Sequence, residues 1–391
     1  MRRNRTNPFQ RLFSTLGLLL LILAVGIGGL ELVAGWAVKL IRDKRPAFAA
    51  QMSDADLGKL YNAEDVGRYR KILKEEWRQF DTVYTPFVEY RTAPYQGEHF
   101  TVSDDGVRGN GAGRPDLGAE GAKVFVFGGS TTLGAGVADD ETIPAYVEQA
   151  LGAAGRADVK VFNFGTVSYY STQERIALER LLTAGIKPDV VVFVDGDADF
   201  YHCAVPDSSA WNERLSQITL ARSRLPLWRD LAARSHVLQM IRHLAGDKSV
   251  LVREWGRFCD TDAEVDAVIR RLDANRRMID AMAERLGFKV LFVQQPVPTY
   301  AYDNRKRPFP VKEEALGYHM NAARGYPRLA EMRAAGQLWD KGLLWLAELE
   351  PAGGNAYIDA VHYSPAFNKA IGERIATVLV EGGTLPAGNS R

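Results

Sequence analysis

From Lys123 onward, short apolar runs alternate with longer amphipathic stretches. KVFVFGG, VKVFNFG, PDVVVFVDG and KVLFVQQP carry β-branched and aromatic residues almost without interruption, the pattern of strands buried on both faces. Between and after them, residues 143–151, 172–184, 263–286 and 365–379 have helical spacing. Strands alternating with helices predict an α/β fold, a parallel sheet covered by helices on both sides, with reactive groups gathered at the carboxyl ends of the strands. The domain is expected over residues 121–385. Two stretches, 201–260 and 299–355, interrupt the alternation; insertions of that length either wall a substrate groove or add plain surface helices.

The amino-terminal pattern differs in kind. LFSTLGLLLLILAVGIGGL, from Leu12 to Leu30, contains no charged residue and matches the ~20 residues that cross a bilayer. Residues 12–38 are therefore expected to be an uncleaved transmembrane anchor. The run exceeds the ~7 to 15 apolar residues of a signal peptide and no clean A-x-A site follows it. Arg2, Arg3, Arg5 and Arg11 assign residues 1–11 to the cytoplasm and the remainder to the periplasm or exterior, although Lys39, Arg42, Lys44 and Arg45 weaken the asymmetry. Glu31 reads as an interfacial carboxylate near the far end of the run. Residues 39–120 read as a linker and accessory segment, with helical spacing over 54–80 and a Gly/Pro-rich close, GNGAGRPDLGAEG.

Charge narrows the partners. With 49 Lys+Arg against 48 Asp+Glu in 391 residues the net charge is +1, which gives no basis for a nucleic-acid partner. Cys203 and Cys259 are the two cysteines, without metal-ligand spacing. Either a disulfide or two buried thiols fits them, and no metal or cofactor is expected.

The candidate chemistry begins at Ser130, in VFVFGGSTTLGAG. Two glycines let the chain turn sharply after the strand, so the hydroxyl projects at the rim of the sheet; the competing reading is an N-cap for the next helix. A serine nucleophile needs a base and an acid to orient that base. DAVHYSP supplies Asp359 and His362, three residues apart in a loop before the last helix, so the carboxylate can hold one ring nitrogen while the other faces the serine. His99, His202, His236, His243 and His319 show no such carboxylate nearby. Gly165, ending NFG, is a candidate oxyanion donor or a tight-turn glycine.

The series GGST, NFG, DGDAD and DAVH, in this order, resembles the SGNH/GDSL hydrolase superfamily over residues 121–382. The resemblance implies a three-layer flavodoxin-like sheet, Ser130 as nucleophile, Asp359 and His362 completing a triad, and the N–H groups of Ser130 and Gly165 as an oxyanion hole. One block departs: where the family has G-x-N-D, this chain has Gly196, Asp197, Ala198 and Asp199. Ala198 stands in place of a donor whose loss costs ~100- to 1000-fold in rate. An ionised Asp197 only accepts hydrogen bonds; Asn163 and Gln295 are the candidates to reach inward instead, and Asp199 is expected to cap a helix or fix a loop.

The chain is accordingly expected to be a membrane-anchored serine esterase acting on acylated cell-envelope carbohydrate through an acyl-serine. An O-acyltransferase with a membrane acyl-donor partner uses the same triad, and a catalytically weakened binding or assembly protein is the reading of another class. Trp211, Trp228, Trp255 and Tyr300 are candidates for stacking on sugar rings or for plain core positions.

Overall fold

The computed structural model describes residues 8–43, 52–75, 81–111, 113–203, 235–244, 257–309 and 311–387. It divides into two units: residues 1–45 with 213–254, and residues 46–212 with 255–391. The main helices are α1 (Pro8–Asp43), α2 (Ile143–Ala153), α3 (Ser171–Thr183), α4 (Asp197–Tyr201), α5 (His236–Leu244), α6 (Asp262–Leu286), α7 (Asn321–Ala334) and α8 (Pro365–Glu381). Strands β1 (Ala122–Gly128), β2 (Val159–Asn163), β3 (Val190–Asp195), β4 (Lys289–Gln294) and β5 (Leu343–Trp345) form one parallel sheet in the order β2-β1-β3-β4-β5. That order, with helices on both faces, is the flavodoxin-like arrangement.

Alternation within each strand explains the two layers. Val124, Val126, Val192, Val194 and Val293 enter one core with Ile143 and Val147 of α2 and Phe367 and Ile371 of α8. Phe125, Phe127, Val191, Phe193 and Phe292 enter the other, with Leu178 of α3 and Ile279 and Ala283 of α6. Neighbouring strands there bring Phe127 and Phe193 to 5.3 Å and Phe193 and Phe292 to 5.9 Å between ring centroids. Each such ring adds about 1.5–3 kcal/mol of burial.

The helices start where local chemistry says they should. Thr261 accepts from the Glu264 N–H and Glu264 returns to the Thr261 N–H, a capping box, and Gly287 at φ 74° closes α6. Ser364 caps α8 ahead of Pro365.

Three features were not foreseen. Residues 54–80 hold two helices, Asp54–Tyr61 and Val66–Glu75, broken at Asn62 with φ 50°. The accessory segment is then built into the α/β unit rather than strung before it: two short antiparallel pairs lead to Arg108, whose backbone bridges Val102 and Asn163. The 299–355 insertion carries α7 and the fifth strand, which at three residues is too short to read from periodicity. Most of the 201–260 insertion lies outside the described residues, but its ends are tied by a Cys203–Cys259 disulfide.

In the first unit, Thr15–Val38 of α1 is 24 residues long and reaches a mean hydropathy of 2.5 over its most apolar 18 residues. Length and apolarity fit a membrane span or a signal sequence.

Candidate active site

Strand register brings the candidate residues to one edge. Gly128 lies opposite Val194 and Asp195 opposite Gln294, so Ser130, Gly196 and Gln295 emerge together just past the strand ends. The turn at Ser130 needs its glycines. A Cβ on Gly128 would lie 2.1 Å from Thr132 Oγ1, and one on Gly129 would lie 3.2 Å from the Tyr169 carbonyl oxygen. Gly129 occupies the N-cap of the short helix Ser130–Leu133 with no side-chain cap, which leaves the Ser130 hydroxyl to other use.

That hydroxyl lies 2.8 Å from His362 Nε2, and His362 Nδ1 lies 2.6 Å from Asp359 Oδ2. The other carboxylate oxygen, Oδ1, accepts the backbone N–H groups of Val361 at 2.9 Å and His362 at 2.8 Å. One carboxylate thus orients both the ring and the loop that carries it. Burial alone would raise the Asp359 carboxyl, but the charge of the facing His362 and three hydrogen bonds, two from His362 and one from the Val361 N–H, outweigh it and hold it at about 2. Arg307, from the 299–355 insertion, fastens the same loop by donating to the carbonyls of Asp359 and Ala360 while its guanidinium lies 4.7 Å from the Tyr357 ring centroid.

The oxyanion candidates separate. The Gly165 N–H donates to Asn163 Oδ1 at 2.9 Å, so it is already engaged, and a Cβ there would meet the Leu133 nitrogen at 2.2 Å; the glycine is required by close backbone approach. Asn163 is a correction: it is fully buried, its amide donates to the Thr132 carbonyl at 3.1 Å, and it braces the Ser130 turn from behind instead of reaching inward. Gln295 does reach the site. It lines, with Ser130, Glu174, Asp195, Ala198 and Asp199, a cavity of about 10 Å³, room for about one water, and its Oε1 accepts from Thr131 Oγ1 at 3.0 Å. Ala198 sits where the departure from the motif placed it, its methyl 3.4 Å from a Cβ built on Gly129.

The acidic residues of that lining are buried. Burial, then the charge of Asp199, pushes Asp195 up to about 7, and burial with the charge of Asp195 raises Glu174 well above the usual carboxylate range. Asp199 accepts from Ser171 Oγ at 2.6 Å and so anchors the loop after β2.

His319 overturns the expectation that the other histidines lack a carboxylate: its Nδ1 lies 2.8 Å from Asp197 Oδ2. Its ring is 4.6 Å from that of Tyr201, Tyr201 is 5.7 Å from Tyr318, and Tyr318 is 4.7 Å from the exposed Phe258. His99 pairs with Glu98 at 3.6 Å and His236 with Glu31 at 3.4 Å, while His202 donates to the Ser168 carbonyl at 2.8 Å; the side chain of His243 lies outside the described residues. So do Trp211, Trp228 and Trp255, and Tyr300 packs 5.5 Å from Tyr326. Arg307 and His319 escaped the sequence reading because their partners lie 52 and 122 residues away.

No curated protein matches the chain. Similar solved structures include an acetyl xylan esterase (14% identity, 66% of this chain, 99% of that one, TM-score 0.35). A carbohydrate acetylesterase family member from Sinorhizobium meliloti is 16% identical over 66% of this chain and 98% of its own, with TM-score 0.34. A GDSL-like lipase from Bacteroides thetaiotaomicron VPI-5482 is 12% identical over 67% and 88%, with TM-score 0.33. The model of the GDSL-like lipase/acylhydrolase family matches residues 126–326, more than half of the 391 residues, and by that match the chain belongs to this family.

Proposed function

We propose that the chain is a membrane-anchored serine esterase that removes ester-linked acyl groups from a cell-envelope carbohydrate. As a member of its family it is a hydrolase of esters. The observation that carries the residue assignment is the continuous hydrogen-bonded series from Ser130 Oγ through the His362 ring to Asp359, at 2.8 and 2.6 Å.

His362 Nε2 takes the Ser130 proton as Oγ attacks the ester carbonyl. The tetrahedral oxyanion is held by the Ser130 N–H and by the Gln295 amide, which serves in place of the asparagine that Ala198 lacks. The protonated ring then donates to the leaving alcohol, and the acyl-serine is released by water that His362 deprotonates. Asp359, ionised down to about pH 2, keeps Nδ1 protonated throughout.

Two observations support the carbohydrate and its location. The ring faces of Tyr201, Tyr318 and Phe258, joined through His319 to Asp197 at the cavity, offer the apolar planes on which the C–H faces of a sugar stack. The span Thr15–Val38 and the arginines ahead of it favour an anchor whose catalytic unit lies on the periplasmic or outer side.

Labelling of the full chain with a fluorophosphonate tests the reading. The wild type reacts, and Ser130→Ala and His362→Ala do not. A folded wild type that refuses the probe refutes it and favours the second reading, which Ala198 and the engaged Gly165 N–H support: an acyltransferase whose site is completed by a membrane acyl-donor partner, or a carbohydrate-binding protein. With a reactive serine, competition between water and a sugar acceptor separates hydrolase from transferase.

A further inference from the structure

Glu31 is a carboxylate inside the long apolar segment of α1, and its two oxygens are both engaged by one short helix. Oε1 accepts from Ser235 Oγ and Oε2 accepts from the His236 N–H at 2.7 Å, while His236 Nδ1 lies 3.4 Å away. Ser235 in turn accepts from the Leu238 N–H at 3.2 Å, so Glu31 and Ser235 together cap the start of α5. Gly35, one turn beyond Glu31 on the same face, leaves room for the His236 ring: a Cβ there would lie 3.4 Å from it. Glu31 and Gly35 form a notch in α1 that receives the N-terminus of α5.

The docked helix is not covered by α1. Leu238, Ile241 and Leu244 are 40%, 55% and 78% exposed and, at 100° per residue, share an arc of roughly 120°. Around the notch α1 itself exposes Leu32, Val33 and Trp36 at 78%, 66% and 65%, so the two helices present apolar surface at the same level. From Glu31 to Val38, the end of the apolar span, is roughly 10 Å of helix, and interfacial helices sink their apolar face roughly 5–10 Å below the headgroups. Between residues 222 and 248 the sequence has six Lys and Arg against two Asp, a basic excess suited to anionic headgroups in a chain of net charge +1.

We infer that α5 is an interfacial helix: its Leu238–Ile241–Leu244 face lies in the acyl–headgroup boundary of the membrane that α1 crosses, pinned at that depth by Glu31. This rests on α1 being a membrane anchor. The occupant of the exposed face is then lipid, and the basic excess of the flanking sequence favours anionic phospholipid.

The test is site-directed spin labelling of the full chain in nanodiscs of phosphatidylcholine and phosphatidylglycerol, with labels at Leu21→Cys, Gln239→Cys and Ile241→Cys and the native disulfide retained. Collision with oxygen against collision with a water-soluble nickel chelate reports depth. Leu21 and Ile241 should favour oxygen several-fold over Gln239, and Glu31→Ala should bring Ile241 toward the Gln239 value without moving Leu21. If Ile241 is as open to nickel as Gln239, or closed to both reagents as under protein, while Leu21 reads lipid, the interfacial helix is refuted and the anchor stands. If Leu21 itself is open to nickel, the anchor reading fails and the inference falls with it.

Discussion

Arg108 shows how far the site depends on the segment that precedes the sheet. Its side chain is 1% exposed, yet it is a cation: Nε donates to Asp139 Oδ1 at 2.9 Å, and the two terminal nitrogens donate to the carbonyls of Leu133, Gly134 and Val137 at 2.5 to 2.6 Å. All three carbonyls belong to the turn that follows Ser130. Arg108→Met keeps most of the stem's volume and removes every one of these bonds, leaving the buried Asp139 carboxylate unpaired. Breaking a buried pair from one side costs about 3–5 kcal/mol, a large share of a total stability of about 5–15 kcal/mol. At about 2–4 °C per kcal/mol for a domain of this size, the melting temperature should fall by about 10 °C.

The sign of the pH dependence follows from Asp139. Burial pushes its carboxyl up and Arg108 opposes that rise, so without Arg108 it rises further. A carboxyl raised in the folded state holds a proton that the unfolded chain releases. The deficit of Arg108→Met is therefore smaller at low pH and grows as pH climbs through and above the ordinary carboxylate range. Replacing both partners, in Arg108→Met/Asp139→Leu, leaves no unpaired charge and should recover the part of the loss due to the bare carboxylate, while the carbonyls of Leu133, Gly134 and Val137 remain without the donors that Arg108 gave them. Thermal unfolding by circular dichroism, repeated across pH, measures all three variants. A single-variant loss below about 1 kcal/mol, the size of a surface pair, or a double variant no better than the single, would refute the assignment.

Three further outcomes are expected. Gln295→Ala should lower kcat for p-nitrophenyl acetate by ~100- to 1000-fold, the usual cost of one oxyanion donor, and Ala198→Asn should restore activity in that background; an unchanged kcat in Gln295→Ala would return Gln295 to a structural role. Asp195, pushed up to about 7 against an ordinary 3.8 by burial and by Asp199, holds in the folded state a proton that the unfolded chain gives up. Stability should thus decline between about pH 4 and 7, and Asp195→Asn should flatten that decline in thermal melts. Phe258→Ala and Tyr318→Ala should raise KM for an O-acetylated polysaccharide by about tenfold, a loss of about 1.4 kcal/mol, while leaving p-nitrophenyl acetate turnover unchanged; equal effects on both substrates would argue against sugar stacking.

What could be read from the chain and what could not divides along sequence separation. Four strands were legible because each is apolar on both faces, and the fifth was not, because Leu343–Trp345 is only half-buried and three residues long. Asp359 and His362 were legible for a local reason: their bonds close within three residues, through backbone N–H groups as well as the ring. Asn163 is legible too, but as a local brace and not as a group that reaches inward. An Asn side chain that accepts the N–H two residues on is an Asx turn, and NFG is such a spacing, so the Gly165 N–H could have been assigned to Asn163.

Arg108, Arg307 and His319 have no local signature. Arg108 grips a turn 25 to 29 residues away and Arg307 a loop 52 to 53 residues away, and in sequence each is an ordinary charge in a Gly/Pro-rich or basic stretch. The reason they exist follows from where the chemistry sits. A parallel sheet delivers Ser130, Gly196 and Gln295 to one rim by register alone, but leaves the turn after Ser130 and the loop before α8 as irregular backbone with carbonyls to satisfy. A guanidinium, with five donors in a rigid fork, can satisfy several at once. The accessory segment and the second insertion each contribute one to a loop that carries a residue of the proposed Ser130–His362–Asp359 triad, and shortening either segment should loosen the Ser130–His362 contact even though neither supplies a member of that triad.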